Sequence, residues 1–449
     1  MTGTAIPGAL PLVRGLAGPD VFAYCGDRTL RVGDYLADVA ALSAALPDRT
    51  HVVNLCTDRY RFIVGFGAAL CRRQISLLPP QRTPDFLARI ARAYPNVYGL
   101  ADEPDGESSI ELVMYPAGLG ATDGEPEIPM IPVQQVAAIV FTSGSTGDPT
   151  PHAKTWGGLA QGAIGEAGAL RLDRVQGATL VGTVPPQHMY GLESTVLLGL
   201  QAGLATFGGR PFYPADVRIA LERVPAPRML VTTPVHLRAL DLDSLRLPPL
   251  ALILSATAHL PLDLARAAEA RHEAPVFEIY GFTEAGMVAY RRTVDGSVWQ
   301  TLPGVAIRQS AGTWWAEGGH IATPTPLTDF IEPLDAHRFV LRGRVSDVVN
   351  VAGKRTSLAA LNAHLLAIPG VRDGMYYVPE GDGAAVSRLG AFVVAPGLTP
   401  RKLLQQLRQR IDAVFLPRPL HFVERLPRNA TGKVAHEALQ RLAGGRRGA

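Results

Sequence analysis

Cysteine is scarce in this chain: there are 3 in 449 residues, Cys25, Cys56 and Cys71, and no Cys-x-x-Cys pair. That excludes a disulfide framework and leaves free thiols in a reducing compartment, so a cytoplasmic setting is expected. No apolar run reaches the ~18 residues that a membrane-spanning helix needs. The first twenty residues lack the basic segment leading into an apolar stretch that marks a secretory leader. No basic run is interleaved with aromatics, which argues against a single-strand nucleic-acid binder. Internal repeats, low-complexity tracts and a GxxxxGK[ST] loop are also absent.

What is present describes an ordinary globular chain, 47% apolar and 18% charged. Its length predicts two or three domains. The net charge of +3 is unevenly spread. From Val345 onward there are 15 Lys and Arg against 7 Asp and Glu, a net of +8, which leaves −5 on the rest. A basic end domain suits an acidic protein, a nucleic acid or a polyphosphate, and is equally compatible with a solvated charged surface.

Short apolar runs alternate with helical patterns. Residues 21–46 read as a hairpin and then a helix opening near Val32. Residues 51–56 read as a strand, 59–73 as a helix, 75–80 as a strand and 86–94 as a helix. Further strands are expected at 136–141, 178–184, 229–233, 250–256 and 276–280. Such alternation predicts an α/β fold of largely parallel, helix-covered sheets, with reactive groups on loops beyond the strands' carboxyl ends. After Gly343 the character changes. Pro400 to Phe415 reads as one helix with Leu403, Leu404, Leu407, Ile411 and Val414 on one face and basic residues opposite. A large N-terminal domain over residues 1–343 and a small α+β domain over 344–449 are therefore expected.

The run Phe141-Thr142-Ser143-Gly144-Ser145-Thr146-Gly147 follows the strand at 136–141. Its glycines permit a tight turn with N–H groups aimed at an anion, and its hydroxyls add donors. The glycines do not flank Ser145 as a nucleophile elbow requires. Alone, such a turn fits a flexible loop as readily as a phosphate site. Tyr280-Gly281-Phe282-Thr283-Glu284, after another strand, combines an aromatic, a hydroxyl and a carboxylate that can hold Mg²⁺. Asp329, Asp335 and Gly343-Arg344 taken singly are loop residues, and Lys433 is a surface charge on a Gly turn.

Together, in this order, these strings resemble the signatures of the adenylate-forming superfamily of acyl- and aryl-CoA ligases, luciferases and peptide-synthetase adenylation domains. The resemblance implies ATP and Mg²⁺ as cofactors. It assigns phosphate contacts to Thr142, Ser143, Gly144, Ser145, Thr146 and Gly147. It makes Glu284 the Mg²⁺-associated carboxylate, Thr283 a catalytic phosphate contact and Lys433 the catalytic cation of adenylation. Asp329 and Arg344 correspond to ribose contacts, and Asp347 to the hinge between domains. Ser255, Ala256, Tyr280 and Gly281 correspond to the adenine and substrate wall. His188, in Pro185-Pro186-Gln187-His188-Met189-Tyr190-Gly191, corresponds to a gate of the acid pocket. One departure stands out: relatives carry Lys after the loop's Pro, whereas this chain has Thr150, with Lys154 the candidate cation from a shifted position.

The expected activity is two-step: a carboxylic acid becomes its acyl-AMP and is passed to a thiol. Ala256, where relatives carry Gly, narrows the pocket in favour of a compact ring. The form around His152 and Lys154 looks most like small ligases of aryl polyene and xanthomonadin-type pigments, which implies a hydroxybenzoate and an acyl carrier protein. Coenzyme A is the alternative acceptor. A non-catalytic nucleotide-binding relic is the reading from a different class, and Thr150 is its support.

Overall fold

The computed structural model describes residues 8–80, 82–104, 108–116, 118, 127–143, 149–242, 246–344, 348–351, 354–379, 388–428, 434 and 442. Two large sheets carry the N-terminal part. The first has six strands in the order Pro149–Thr155, Val136–Ser143, Ile75–Leu78, His51–Asn54, Tyr98–Ala101, Glu111–Met114. Every pairing in it is parallel except the one made by its edge strand Pro149–Thr155. The second has eleven strands. It is parallel from Val21–Cys25 through Ala205–Phe207, Thr179–Gly182, Arg228–Thr232 and Leu252–Ser255 to Val276–Phe282. It then turns antiparallel through Gly286–Arg292, Val298–Thr301, Arg338–Arg344 and Asp329–Pro333. Thr179–Gly182 and Leu252–Ser255 are buried along their whole length, which is why they read as unbroken apolar runs.

The helix Arg59–Cys71 lies between these sheets. Asp58 caps it by accepting the Arg61 N–H at 2.9 Å. Nearly all of its residues are buried, so it has no solvent face. The buried Arg59 guanidinium donates to the carbonyls of Gly182 and Val184, both at 2.9 Å, and to the Thr195 hydroxyl. Those bonds tie the helix to the loop that carries His188.

The C-terminal part forms its own core from Leu361, Leu365, Val393, Leu403 and Leu407. A three-stranded sheet of Asp373–Tyr377, Gly390–Val394 and Leu420–Phe422 is packed by the helices Leu358–Leu366 and Pro400–Arg408. A separate core is what defines a second, smaller domain. The last strand before it, Arg338–Arg344, still belongs to the eleven-stranded sheet. Asp347 lies outside the described residues.

The structure corrects one expected element and adds others. The helix at 400–415 stops at Arg408, because Asp412 accepts the Val414 N–H at 3.1 Å and starts a separate short turn over Ala413–Phe415. Leu403 and Leu407 are still buried, and Leu404, Ile411 and Val414 pack against the same core. The strand Pro149–Thr155 was not anticipated, because its prolines argue against a strand; they are tolerated on a sheet edge. Among the described residues no helix is long and apolar enough to cross a membrane.

The change from parallel to antiparallel order is held by one buried carboxylate. Glu278 Oε2 accepts from Arg291 Nε at 2.8 Å and Nη2 at 2.5 Å, and from the Thr293 hydroxyl at 3.1 Å. Its Oε1 accepts the Leu260 N–H at 2.8 Å. Removing one partner of a buried pair leaves an uncompensated charge, so Glu278→Ala should cost about 3–5 kcal/mol. Urea denaturation of the variant measures it, and a loss below about 1 kcal/mol would show that the pair is dispensable.

Candidate functional site

The site begins where the strand Val136–Ser143 ends. Gly144, Ser145, Thr146, Gly147 and Lys433 lie outside the described residues, and Ser143 and Arg344 are placed only by their backbone. The chain returns antiparallel as Pro149–Thr155, pairing Thr150 with Thr142, His152 with Val140 and Lys154 with Ala138. Side chains on a strand alternate, so Thr150, His152 and Lys154 share one face. Four residues of strand span about 13 Å, which sets Lys154 well back from position 150.

Instead, Lys154 reaches the turn carrying Glu284. Its Nζ donates to the Glu284 carbonyl at 2.6 Å. Burial lowers its pKa, and the neighbouring carboxylates of Glu193 and Glu284 oppose that shift. His152 Nε2 lies 2.9 Å from Thr142 Oγ1 and 3.6 Å from Glu284 Oε1. Burial lowers the His152 pKa as well, which favours the neutral ring beside the Glu284 carboxylate.

The turn itself joins Val276–Phe282 to Gly286–Arg292. Tyr280 is buried and its ring is packed edge-on by Trp299 and Phe339. Its hydroxyl donates to Asp329 Oδ2 at 2.7 Å. Asp329 is half-buried and pairs in register with Arg344, so the two residues read as ribose contacts are neighbours in the sheet. Asp335, by contrast, is an exposed turn residue, accepting from the His337 N–H and from Arg338 Nε, both at 2.8 Å.

A cavity of about 390 Å³ collects Thr142, His188, Ala256, Gly281, Thr283 and Glu284. These six come from four separate stretches of sequence. Ser255 sits just behind Ala256, fully buried at the end of its strand, and its hydroxyl has no partner among the described residues. Lys154 lines an adjoining cavity of about 160 Å³ that shares Met189, Glu193 and Glu284 with the first.

His188 opens a turn that only glycine can close, since a Cβ at Gly191 would fall 1.9 Å from the Pro185 carbonyl oxygen. Beyond it, Leu192–Leu197 is a π-helical stretch. It places Glu193 and Ser194 in the interior. Ser194 Oγ donates to Glu166 Oε1 at 2.6 Å, and Glu193 Oε1 accepts the Met287 N–H at 3.1 Å. Burial pushes the Glu166 carboxyl up to about 8 and the Glu193 carboxyl up to about 7.

Among the described residues no group of three or more His, Cys, Asp or Glu is placed to hold a metal. Glu284 offers an exposed carboxylate at the cavity wall. That fits Mg²⁺, which keeps several waters and takes the rest of its shell from substrate phosphates. Sequence reasoning passed over His152 and Glu193 as site residues. Alternation along 150–154 could have flagged the first, and a lone charge inside the apolar run Leu192–Leu200 the second.

A family profile described as AMP-binding enzyme matches residues 84–313, and one described as AMP-binding enzyme C-terminal domain matches 362–433. A 4-coumarate–CoA ligase of Rhodobacter capsulatus is 31% identical over 300 residues, covering 66% of this chain and 74% of that protein. A probable 2-succinylbenzoate–CoA ligase of Mycobacterium tuberculosis is 27% identical over 351 residues, covering 69% and 85%. Among solved structures, o-succinylbenzoate CoA synthetase of Bacillus subtilis with its acyl-adenylate intermediate superposes with a TM-score of 0.79 at 18% identity, covering 94% and 95%. That likeness shows the fold: a large α/β domain and a smaller C-terminal domain.

The raised Glu166 carboxyl makes stability depend on pH. Unfolded, this group loses its proton near 4.5; folded, it holds it to about 8. The fold binds the extra proton, so its stability falls as pH rises through that window. Glu166→Gln removes the share of the dependence that Glu166 contributes. Relative to the parent, the variant should gain a few kcal/mol between pH 5 and 8.5 by urea denaturation. A difference that does not change with pH would mean that Glu166 is ionised in the fold.

Proposed function

The chain belongs to the AMP-binding enzyme family, and from that premise we propose that it is an acid–thiol ligase for a small aromatic carboxylate. The observation that carries the proposal is the meeting of Thr142, Thr283, Glu284, Ala256, Gly281 and His188 around one cavity. In the first step a carboxylate oxygen attacks the α-phosphorus of ATP, and the bond to the β-phosphate oxygen breaks to release pyrophosphate. In the second a thiolate attacks the acyl carbon and AMP leaves. Neither step needs a protein nucleophile. Catalysis is positioning and charge stabilisation.

In this reading Glu284 holds Mg²⁺, which when bound neutralises charge on the phosphates. Thr142, Thr283 and the loop 143–147 take the phosphate oxygens. Asp329, oriented by Tyr280, accepts from the ribose hydroxyls, with Arg344 beside it. His188, Ala256 and Gly281 wall the acid. Lys433 supplies the cation for charge developing at the α-phosphate, and Asp347 serves as the pivot that exchanges the small domain between steps.

Coenzyme A takes first place as acceptor, ahead of the carrier protein favoured on sequence, because the relatives named above are CoA ligases. A carrier protein is the second reading. Its support is the exposed basic face of Arg401, Lys402, Arg408 and Arg410 beside the buried Leu403 and Leu407. The hydroxybenzoate and pigment readings rest on Ala256 and on the resemblance around His152 and Lys154.

The test is ATP–pyrophosphate exchange with benzoate, hydroxybenzoates and fatty acids, followed by transfer to coenzyme A or to a phosphopantetheinylated carrier. Exchange with aromatic acids and acylation of coenzyme A are expected. Absence of exchange with every acid would favour the non-catalytic relic, and carrier loading without acylation of coenzyme A would reverse the order of acceptors. Lys154→Met keeps the aliphatic stem but loses the contact to the Glu284 carbonyl. It should raise the KM for ATP about tenfold, as for loss of one charge-assisted hydrogen bond. An unchanged KM for ATP would make Lys154 a structural residue.

A further inference from the structure

We propose that Glu193 is the specificity-determining residue of the acid pocket, hydrogen-bonding a hydroxyl carried on the ring of the acid. This rests on the aromatic-acid reading above and deepens it.

Glu193 lines both cavities, as does Met189, and Met287 lines the larger one. It is only 7% exposed. One oxygen is fixed: Oε1 accepts the Met287 N–H at 3.1 Å. The chain makes room for that contact, since Gly286 stands at φ +82° and a Cβ there would fall 2.5 Å from Oε1. Among the described residues the Met287 N–H is the one hydrogen-bond donor to Glu193. A nearly dry carboxyl with one main-chain donor is costly compared with an apolar side chain of similar volume. The π-helical turn that carries it is a feature often found at functional sites.

Charged and titratable groups surround Glu193 on several elements. Lys154 comes from the edge strand, Glu166 from the helix Trp156–Ala169, and Glu284 from the turn; His188 and His320 line the same two cavities. Burial raises the Glu193 carboxyl most, while the Met287 N–H and Lys154 lower it; Glu193 in turn raises Glu166. A carboxyl in this setting can both donate and accept, which matches a hydroxyl. A wall of methionine side chains suits the ring that bears it. A pocket built to bond a hydroxyl rejects the analogue lacking it, because the pocket's own polar group is then left unpaired.

The experiment compares kcat/KM in ATP–pyrophosphate exchange for benzoate and for 3- and 4-hydroxybenzoate. The parent enzyme should prefer at least one hydroxybenzoate by about tenfold or more, as a lost hydrogen bond to a substrate hydroxyl implies. In Glu193→Leu the ratio should fall to within about threefold of unity, mainly through KM. Glu193→Gln, which still offers a donor and an acceptor, should restore most of it. Where Glu193→Leu does not fold, Glu193→Ala, which admits water to the Met287 N–H, carries the same comparison. Equal kcat/KM for benzoate and both hydroxybenzoates in the parent, or a preference untouched in the Leu or Ala variant, overturns this inference alone. Exchange with aliphatic acids only overturns the aromatic-acid reading and this inference with it.

Discussion

The buried carboxylate of Glu278 is the constraint on which the site depends. It lies where a parallel sheet gives way to an antiparallel one, and it bonds three groups on two distant segments: the main chain at Leu260, and the Arg291 guanidinium and Thr293 hydroxyl. Arg291 in turn lies over the Trp299 ring, 4.5 Å from its centre. Because both members of the pair are almost wholly buried, neither can be lost without stranding the other. The hairpin that follows is thereby held in one register. Tyr280, Gly281, Thr283 and Glu284 take their positions from it.

From that hairpin the site is completed by short contacts with distant segments. Tyr280 orients Asp329, 49 residues on. Lys154 clamps the Glu284 carbonyl from the edge of the other sheet. Met287 N–H holds Glu193, and Gly286 has no side chain to obstruct it. Each is a single bond worth little by itself, about 1 kcal/mol net. Their value is positional: they set the carboxylates and hydroxyls of two sheets against one cavity, with Lys154 lining the cavity beside it, the arrangement that preorganised charge stabilisation requires.

Three acids in this region show how environment divides roles. Glu284 is exposed at the cavity and free to act as a hard ligand, whereas Glu193 and Glu166 are held in the interior with raised pKa values. The difference comes from burial, because no sequence feature distinguishes one glutamate from another.

The parallel strands of the large domain at 179–182 and 252–255 were legible in the sequence because doubly buried strands read as continuous apolar runs, whereas its helices beyond residue 94 and its antiparallel strands from Gly286 onward were not. Thr142, His188, Ala256, Gly281, Thr283 and Glu284 could be named because the strings that carry them resemble the signatures of the adenylate-forming superfamily; turn composition alone would not have singled them out. The sequence alone thus determined the α/β class, the two-domain order and the family. Only the tertiary structure decided that Lys154 meets Glu284 about 13 Å of strand beyond Thr150, and that the helix after Pro400 ends at Arg408. It alone brought Glu193 into the pocket wall. Those facts depend on strand register and on which carboxyls are dry. Both are set by contacts between residues far apart in the chain, and no local pattern encodes them.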